Sequence, residues 1–352
     1  MKTELKQAIG FREQWIRGEH TQAFRLLNGF TEGIPGIAID IFAKTAVIHD
    51  YAKQEEECVD PGIIHDILRE ELPFLKAVIL KKRAEKTPEL RNGVLLSGVK
   101  PDDRITEHGV HYAIDLRMNQ DNSFYADTRL LRKFLLEEMQ GKDVLNTFAY
   151  TGSLGVAAAA GGAASVLQTD LSERFMDLAK RSFSMNKVYY NNKNFLAADF
   201  FPAMAKLKKE KRSFDCVILD PPFFSKTSKG EVDLCTAPQV PINKVRPLIR
   251  DNGLLIVVNN ALYLSGKDFI ACIDELCSDG CLVKEDMIPI PDDFRGPAPV
   301  YPVDPAPFNH PTKIIILRVK KRCPEVHAEI DTVLINRREF TIKSNGKIVK
   351  IA

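Results

Sequence analysis

Three acids in the middle of this sequence each close an apolar run. Asp170 follows 165–169, Asp199 follows 195–198, and Asp220 follows 215–219 and leads into Pro221, Pro222, Phe223 and Phe224. Side chains at the carboxyl ends of strands in an open α/β sheet face one crevice, where such sheets bind ligands. A carboxylate there accepts hydrogen bonds from a ribose diol, an exocyclic amine or the edge of a base. Two consecutive prolines continue neither a ladder nor a helix, so 221–222 reads as a rigid extended corner with a carbonyl left to accept a hydrogen bond. Phe223 offers a flat face on which a planar ring can stack. Each feature alone is equally a strand-end turn over core phenylalanines; the series of acids is what raises the pattern above that reading.

The stretch that orders these acids is 143–170, DVLNTFAYTGSLGVAAAAGGAASVLQTD. An apolar run at 144–148 meets a polar turn at 150–153. An Ala-rich helix follows, then a stop at Gly161 and Gly162, a second apolar run and Asp170. Strand, Gly-containing turn, helix, strand and acid make the first half of a nucleotide-binding α/β unit. The turn sets backbone N–H groups at a helix N-terminus. It lacks the GxGxxG glycine density that lets a backbone approach a pyrophosphate. A cofactor with ribose and adenine but no phosphate has no such requirement, and S-adenosylmethionine is one.

The elements that must position these groups alternate along the chain. Strand-like runs fall at 144–148, 165–169, 195–199, 215–220, 253–259, 281–289 and 313–319, with helical patterns at 128–138, 173–186, 202–211, 242–249 and 267–276. Alternation of this kind predicts an α/β fold built on an open sheet. Ahead of it, 21–117 reads as a small α+β module with strands at 37–42, 46–50, 77–82, 94–96 and 111–115 and a helix at 61–71. Its basic stretch Lys81, Lys82, Arg83 and Lys86 is either a phosphate contact or a solvated edge with protective lysines. Residues 1–20 predict a short helix whose Trp15 packs on the next module, and 330–351 predicts hairpins turning at Asn345 and Gly346. The expected organisation is therefore 1–20, 21–117, 118–322 and 323–352.

A length of 352 residues fits about two domains. A formal charge of +2 rules out a chain that binds nucleic acid through its overall field, so any such surface must be a local patch. No apolar run reaches the ~20 residues of a membrane span, and the first twenty residues contain no apolar signal-peptide segment. The seven cysteines are odd in number and lack paired spacing, which predicts free thiols and a cytoplasmic location. No CxxC is present, and no metal site is expected.

Together, DVLNTFAYTGSLGV, QTDLS, Asn186 and LDPPFFSKTSKG resemble class I S-adenosylmethionine-dependent methyltransferases. More narrowly they are similar to the bacterial large-subunit ribosomal RNA methyltransferases that make 5-methylcytosine or N7-methylguanine. FRLLNGFTEGIPGIAID, ITEHG and FYADTRLLR extend the likeness over roughly 21–320. The resemblance implies a Rossmann-like seven-stranded sheet with an antiparallel last strand, preceded by a small α+β module. It implies a methionine-side cradle of Phe148, Tyr150, Thr151 and Gly152, a ribose acid at Asp170 with Leu171 beside it, and an adenine-reading acid at Asp199 beside Phe200. Asn186 belongs to the same cofactor set. Asp220, Pro221, Pro222 and Phe223 match the catalytic corner, and Tyr125, Asp127 and Arg129 match a segment closing over the cofactor. Ser153 stands where the family has a second glycine, and Ser123 and Thr128 replace a glycine and a glutamine. The family's extra N-terminal RNA-binding module has no counterpart in the few residues before Ala23.

Carbon-5 of cytosine is methylated only after a cysteine thiolate adds to the ring. In similar enzymes that cysteine follows strand five; here the place reads Val257, Val258, Asn259, Asn260, Ala261. Cys235 is the alternative thiol. A ring nitrogen such as guanine N7 carries an in-plane lone pair and needs orientation alone. The expectation is nitrogen methylation of RNA, with Asp220 holding the base edge, Phe223 stacking, and basic residues at 206–212 and 320–322 on flanking phosphates. A homodimer is a candidate assembly. The alternatives are methyl transfer to a protein side chain or small molecule, and a non-catalytic cofactor-binding scaffold.

Overall fold

The computed structural model describes residues 2–52, 60–234, 236–261, 264–295 and 311–321, and the strand backbones 334–336, 339–344 and 347–351. The expected helix at 1–20 divides into α1 (Lys2–Phe11) and α2 (Glu13–Ile16) around Arg12, a guanidinium with no exposed surface. Next come β1 (Ala23–Leu27), β2 (Ile37–Phe42), β3 (Thr45–Asp50), α3 (Pro61–Glu71), β4 (Ala77–Lys82), α4 (Pro88–Asn92) and β5 (Val94–Ser97). These strands form one sheet in sequence order, parallel only between β3 and β4, which α3 connects. The Asp60 carboxylate accepts from Gly62 N–H at 2.8 Å and Pro61 occupies the first turn, so α3 starts with both of the usual N-terminal signals. Trp15 packs on this module's core, as its position suggested.

A hairpin, β6 (Arg104–Glu107) and β7 (Val110–Ala113), leads into α5 (Arg129–Glu138). The second sheet is then laid down by β8 (Asp143–Thr147), α6 (Ser153–Ala160), β9 (Ser165–Asp170), α7 (Glu173–Met185), β10 (Phe195–Ala197), α8 (Phe200–Lys209) and β11 (Phe214–Leu219). A second hairpin, β12 (Phe224–Thr227) and β13 (Gly230–Asp233), precedes α9 (Gln239–Val245), β14 (Ile249–Asn259), α10 (Gly266–Cys277), β15 (Leu282–Ile288) and β16 (Lys313–Val319). The order is β10-β9-β8-β11-β14-β16-β15, with β16 antiparallel to both its neighbours. This is the Rossmann-like seven-stranded sheet expected from the sequence. The order reverses at β8, so the switch point, where such sheets open a crevice, lies at the tip of β8.

Successive residues of the central strands feed opposite layers, as a strand's alternation requires. Val144, Ile218 and Ile256 pack with Leu131, Val156 and Phe183 of α5–α7, while Leu145, Val217 and Leu255 pack with Met204, Ile242 and Phe269 of α8–α10. The first layer continues without a break into Phe42, Val47 and Ile79 of the small module, so the two sheets share a core.

Neither β12–β13 nor β1 was visible as strand in the sequence, because polar and basic residues interrupt their apolar alternation. The tail pairs as β17 (Leu334–Asn336), β18 (Glu339–Ser344) and β19 (Lys347–Ile351). The predicted turn residues 345 and 346, the Pro-rich stretch 296–310, and Cys58, Cys235 and Cys323 lie outside the described residues. The expectation of free thiols needs correction at Cys281, which is disulfide-bonded.

Candidate active site

The crevice is built around the turn after β8. Thr147 Oγ1 donates to the Ile218 carbonyl at 2.8 Å, holding the tips of β8 and β11 together. Phe148, Tyr150 and Gly152 then take φ values of 51°, 52° and 78°. Left-handed backbone is uncommon for residues with a Cβ and concentrates at functional turns. Alternation of hand curls the chain so that successive N–H groups converge. The Tyr150 N–H donates to Asp170 Oδ2 at 2.8 Å and Ser172 N–H to Asp170 Oδ1 at 3.1 Å, tying the turn to the tip of β9. A carboxylate has about four lone-pair positions, so two backbone donors leave capacity for the two hydroxyls of a ribose. Burial raises the Asp170 pKa against the pull of those N–H groups. Leu171 follows with 69% of its surface exposed, an apolar face beside the acid.

Two glycines let helix α6 approach this floor. A Cβ at Gly152 would stand 2.6 Å from Ala179 Cβ and 2.8 Å from the Gln168 amide; one at Gly155 would stand 2.5 Å from Gln168 Oε1. Gln168 is fully buried on β9 and accepts from Asn146 Nδ2 at 3.0 Å. The second glycine the packing demands is therefore Gly155, and Ser153 is accommodated at the first helical position.

Asp199 closes β10 by capping α8, its Oδ1 accepting from Phe201 N–H at 3.0 Å. Phe200 stacks on Phe148 at 4.5 Å and Phe201 meets Phe200 edge-on at 5.2 Å, forming an aromatic wall between the tips of β8 and β10. Hairpin β12–β13 lies against that wall: a Cβ at Gly230 would fall 2.3 Å from the Phe201 ring.

At the tip of β11, half-buried Asp220 has its pKa pushed up to about 7 by burial and by the carboxylate of Asp127. Burial raises Asp127 as well, and Thr312 Oγ1 donates to it at 2.5 Å. The Pro221 carbonyl, which the sequence left open, accepts from Asn260 Nδ2 at 3.3 Å. Asn259 is buried and bonds the backbone of Leu234 and Ala261. Phe223 and Phe224 are 39% and 50% exposed at the rim. Tyr125 packs on Tyr150 with ring centres 5.3 Å apart. Ser123, in the position of a family glycine, adopts φ 54°, the backbone hand glycine would supply, and its hydroxyl donates to the Asn122 carbonyl at 2.6 Å.

The fold thus gathers Tyr125, Asp127, Phe148, Tyr150, Thr151, Gly152, Asp170, Leu171, Asp199, Phe200 and the corner 220–223 around four strand tips. Two predicted residues are committed elsewhere. Arg129 binds both carboxylate oxygens of Asp293, at 2.8 and 3.0 Å, and the Ala23 carbonyl at 2.6 Å. Asn186 bonds both main-chain groups of His111, at 2.9 and 2.7 Å, and so staples α7 to β7. The basic residues expected on flanking phosphates are also displaced. α8 starts at the crevice, so Lys206, Lys208 and Lys209 in its last turn lie roughly 9–14 Å further along its axis. β16 runs from Lys313, opposite Asn259, to Arg318, opposite Leu254, which carries Lys320 and Lys321 to the far end of the sheet. Sequence reasoning missed Gln168 and Thr312, single polar residues with no local signature, whereas Asn260 belongs to the asparagine pair that the sequence already set after the fifth strand.

Residues 78–277 match the S-adenosylmethionine-dependent methyltransferase family. The Bacillus subtilis protein YwbD, provisionally named a ribosomal RNA large subunit methyltransferase, is 27% identical over 90% of this chain and 80% of its own length. The Colwellia psychrerythraea ribosomal RNA large subunit methyltransferase K/L is 34% identical over 62% of this chain, which spans only 30% of that protein. SMU.776, provisionally a methyltransferase and solved in complex with SAH, shares the fold with a TM-score of 0.77 and 23% identity, over 90% of this chain and 80% of the other. The family match spans more than half of the 352 residues and includes β8 to β11 with their crevice, so the chain belongs to the S-adenosylmethionine-dependent methyltransferases.

Proposed function

We propose that this enzyme methylates a base of large-subunit ribosomal RNA, at a ring nitrogen, with guanine N7 favoured over cytosine C5. The cofactor supplies a methyl carbon made electrophilic by its sulfonium. Phe148, Tyr150, Thr151 and Gly152 would hold its methionine side, Asp170 its ribose, and Leu171, Asp199 and Phe200 its adenine, while Tyr125 and Asp127 would close over it. The base stacks on Phe223 and places its edge on Asp220. The corner would hold the ring nitrogen in line with the methyl carbon, so that its lone pair would form the new bond while sulfur kept the electron pair of the old one. Guanine N7 has no proton to shed, so the methylated base would carry the positive charge, and the acid pair Asp220 and Asp127 would face it.

One observation carries the choice of acceptor: among the described residues no reactive thiol stands at the crevice. Cys216 lies inside β11 with no exposed surface and its thiol is pushed up to about 12 by burial. Cys272 and Cys277 belong to α10, and Cys281 is disulfide-bonded. The bond from Asn260 to the Pro221 carbonyl also favours a ring nitrogen over an exocyclic amine, which would need that carbonyl for its own proton. RNA as substrate is supported by the names of the relatives.

The four-part organisation 1–20, 21–117, 118–322 and 323–352 belongs to the same proposal. The packing of β6–β7 on α7 ties the end of the second part to the third.

Nucleoside mass spectrometry of ribosomal RNA from a strain lacking the gene, against its parent, tests the reading. Loss of 7-methylguanosine, restored by the gene, is expected. Loss of 5-methylcytosine would overturn the acceptor assignment, and unchanged RNA would move the substrate to a protein or small molecule. Substrate binding should weaken steeply with added salt if the substrate is RNA.

A further inference from the structure

Residues 119–123 form a strap pinned from both sides. From the small module, Lys81 Nζ donates to the carbonyls of Asn119 at 3.0 Å and Asp121 at 2.5 Å. Arg83 donates to the Gln120 carbonyl and, at 3.0 Å, to the Asp121 carboxylate. Arg91 reaches the Gln120 side chain at 2.8 Å, and Asn122 Nδ2 lies 2.9 Å from His49 Nε2. From the other side, the Tyr150 hydroxyl donates to Asn119 Oδ1 at 3.1 Å and receives the Ser123 N–H at 3.0 Å, while Thr151 donates to the Ser123 carbonyl at 2.6 Å. Tyr150 and Thr151 are the turn whose backbone holds Asp170.

Lys81 is the unexpected member. It sits at the end of a strand with no exposed surface. A buried ammonium is costly unless its protons are bonded, and among the described residues it makes no salt bridge. Its hydrogen-bond partners are two main-chain carbonyls of the strap. An apolar side chain would fill the same volume without that cost, but it would leave both carbonyls without this donor. Burial, with Arg83 beside it, lowers its pKa to about 7 against the pull of Asp121, Asp115 and, from β2, Asp40, and His49, its register partner on β3, faces it too.

We propose that Lys81 is a positioning residue for cofactor binding: it fixes the 119–123 strap and, through Asn119, sets the Tyr150 phenol that shapes the cofactor turn. The small module is then a working part of the methyltransferase site. The inference rests on Tyr150 and Asp170 forming the cofactor cradle.

The test is calorimetric titration of the full chain with S-adenosylhomocysteine, in wild type, Lys81→Met, Tyr150→Phe and the double variant, with melting temperatures as a control on folding. Lys81→Met should weaken binding about tenfold near pH 6, and the double variant should be no weaker than the weaker single, because both act through one chain of contacts. The gap between wild type and Lys81→Met should narrow by about pH 9, where the wild-type amine has lost its charge. Binding within twofold of wild type, effects that multiply, or a gap indifferent to pH would each overturn the proposal. If Lys81→Met does not fold, Asn119→Ala decides: it cuts the link to Tyr150 and leaves Lys81 its carbonyls, so the same loss is expected and unchanged affinity refutes the role. Failure of wild type to bind, or wild-type affinity in Asp170→Ala, would instead sink the cradle itself.

Discussion

Asp220→Asn keeps the shape of the catalytic corner and removes its charge, which makes the electrostatic cost of that corner measurable. Burial and Asp127 raise the Asp220 pKa from 3.8 to about 7. The unfolded chain releases this proton near 3.8, the folded chain near 7, so between those values the folded state binds more protons and stability falls as pH rises. The carboxyl's contribution is thus intact below about pH 4, declines from there to about pH 7, and stays lost above it. At about 1.4 kcal/mol per pH unit the loss has a ceiling of about 4 kcal/mol. Part of the Asp220 surface stays in water, and solvent screening reduces the expected value to about 2 kcal/mol. Urea unfolding at pH 5 and pH 8 checks this. Asp220→Asn should be more stable than wild type by about 2 kcal/mol at pH 8 and by less than about 1 kcal/mol at pH 5. Methyl transfer should fall by about a hundredfold or more in the same variant. A variant less stable than wild type at pH 8, or a difference equal at the two pH values, would refute the reasoning.

Other substitutions probe the supports of the crevice. Gly152→Ala combines a left-handed backbone, about 1–2 kcal/mol, with contacts inside van der Waals distance of Ala179 and Gln168, about 1–3 kcal/mol; denaturant titration should show a loss of several kcal/mol. Glu107→Ala strands Arg132, which has 1% exposed surface and is bound by that carboxylate at 2.6 and 2.9 Å, and should cost about 3–5 kcal/mol by the same measurement. Asn186→Ala should lose about 1–3 kcal/mol of stability yet bind S-adenosylhomocysteine like wild type, whereas Asp170→Ala should lose affinity as well as the support its carboxylate gives the Tyr150 and Ser172 N–H groups; calorimetry separates the two.

Much of this molecule was legible before any coordinates. The alternating strands and helices with the acids Asp170, Asp199 and Asp220 point to an open α/β sheet, the missing glycine density after β8 points to a phosphate-free nucleoside cofactor, and the Rossmann-like detail came with the family resemblance. Each signal is local: periodicity sets the strands, a strand's end sets its acid, and proline's missing N–H sets the corner. The side-chain partners of Arg129 and Asn186 were not legible, because contacts across 164 and 75 residues have no trace in spacing. Nor was the direction of the basic residues at 206–209 and 320–321, which depends on α8 starting at the crevice and β16 running against the sheet. Lys81 shows the division most plainly. In the sequence it is one more charge in a basic stretch beside Lys82 and Arg83. Only the packing of the small module's sheet against the 119–123 strap takes it out of water and sets its ammonium on the segment that bonds Tyr150, since burial and hydrogen-bond partners belong to the assembled surfaces and not to the residue.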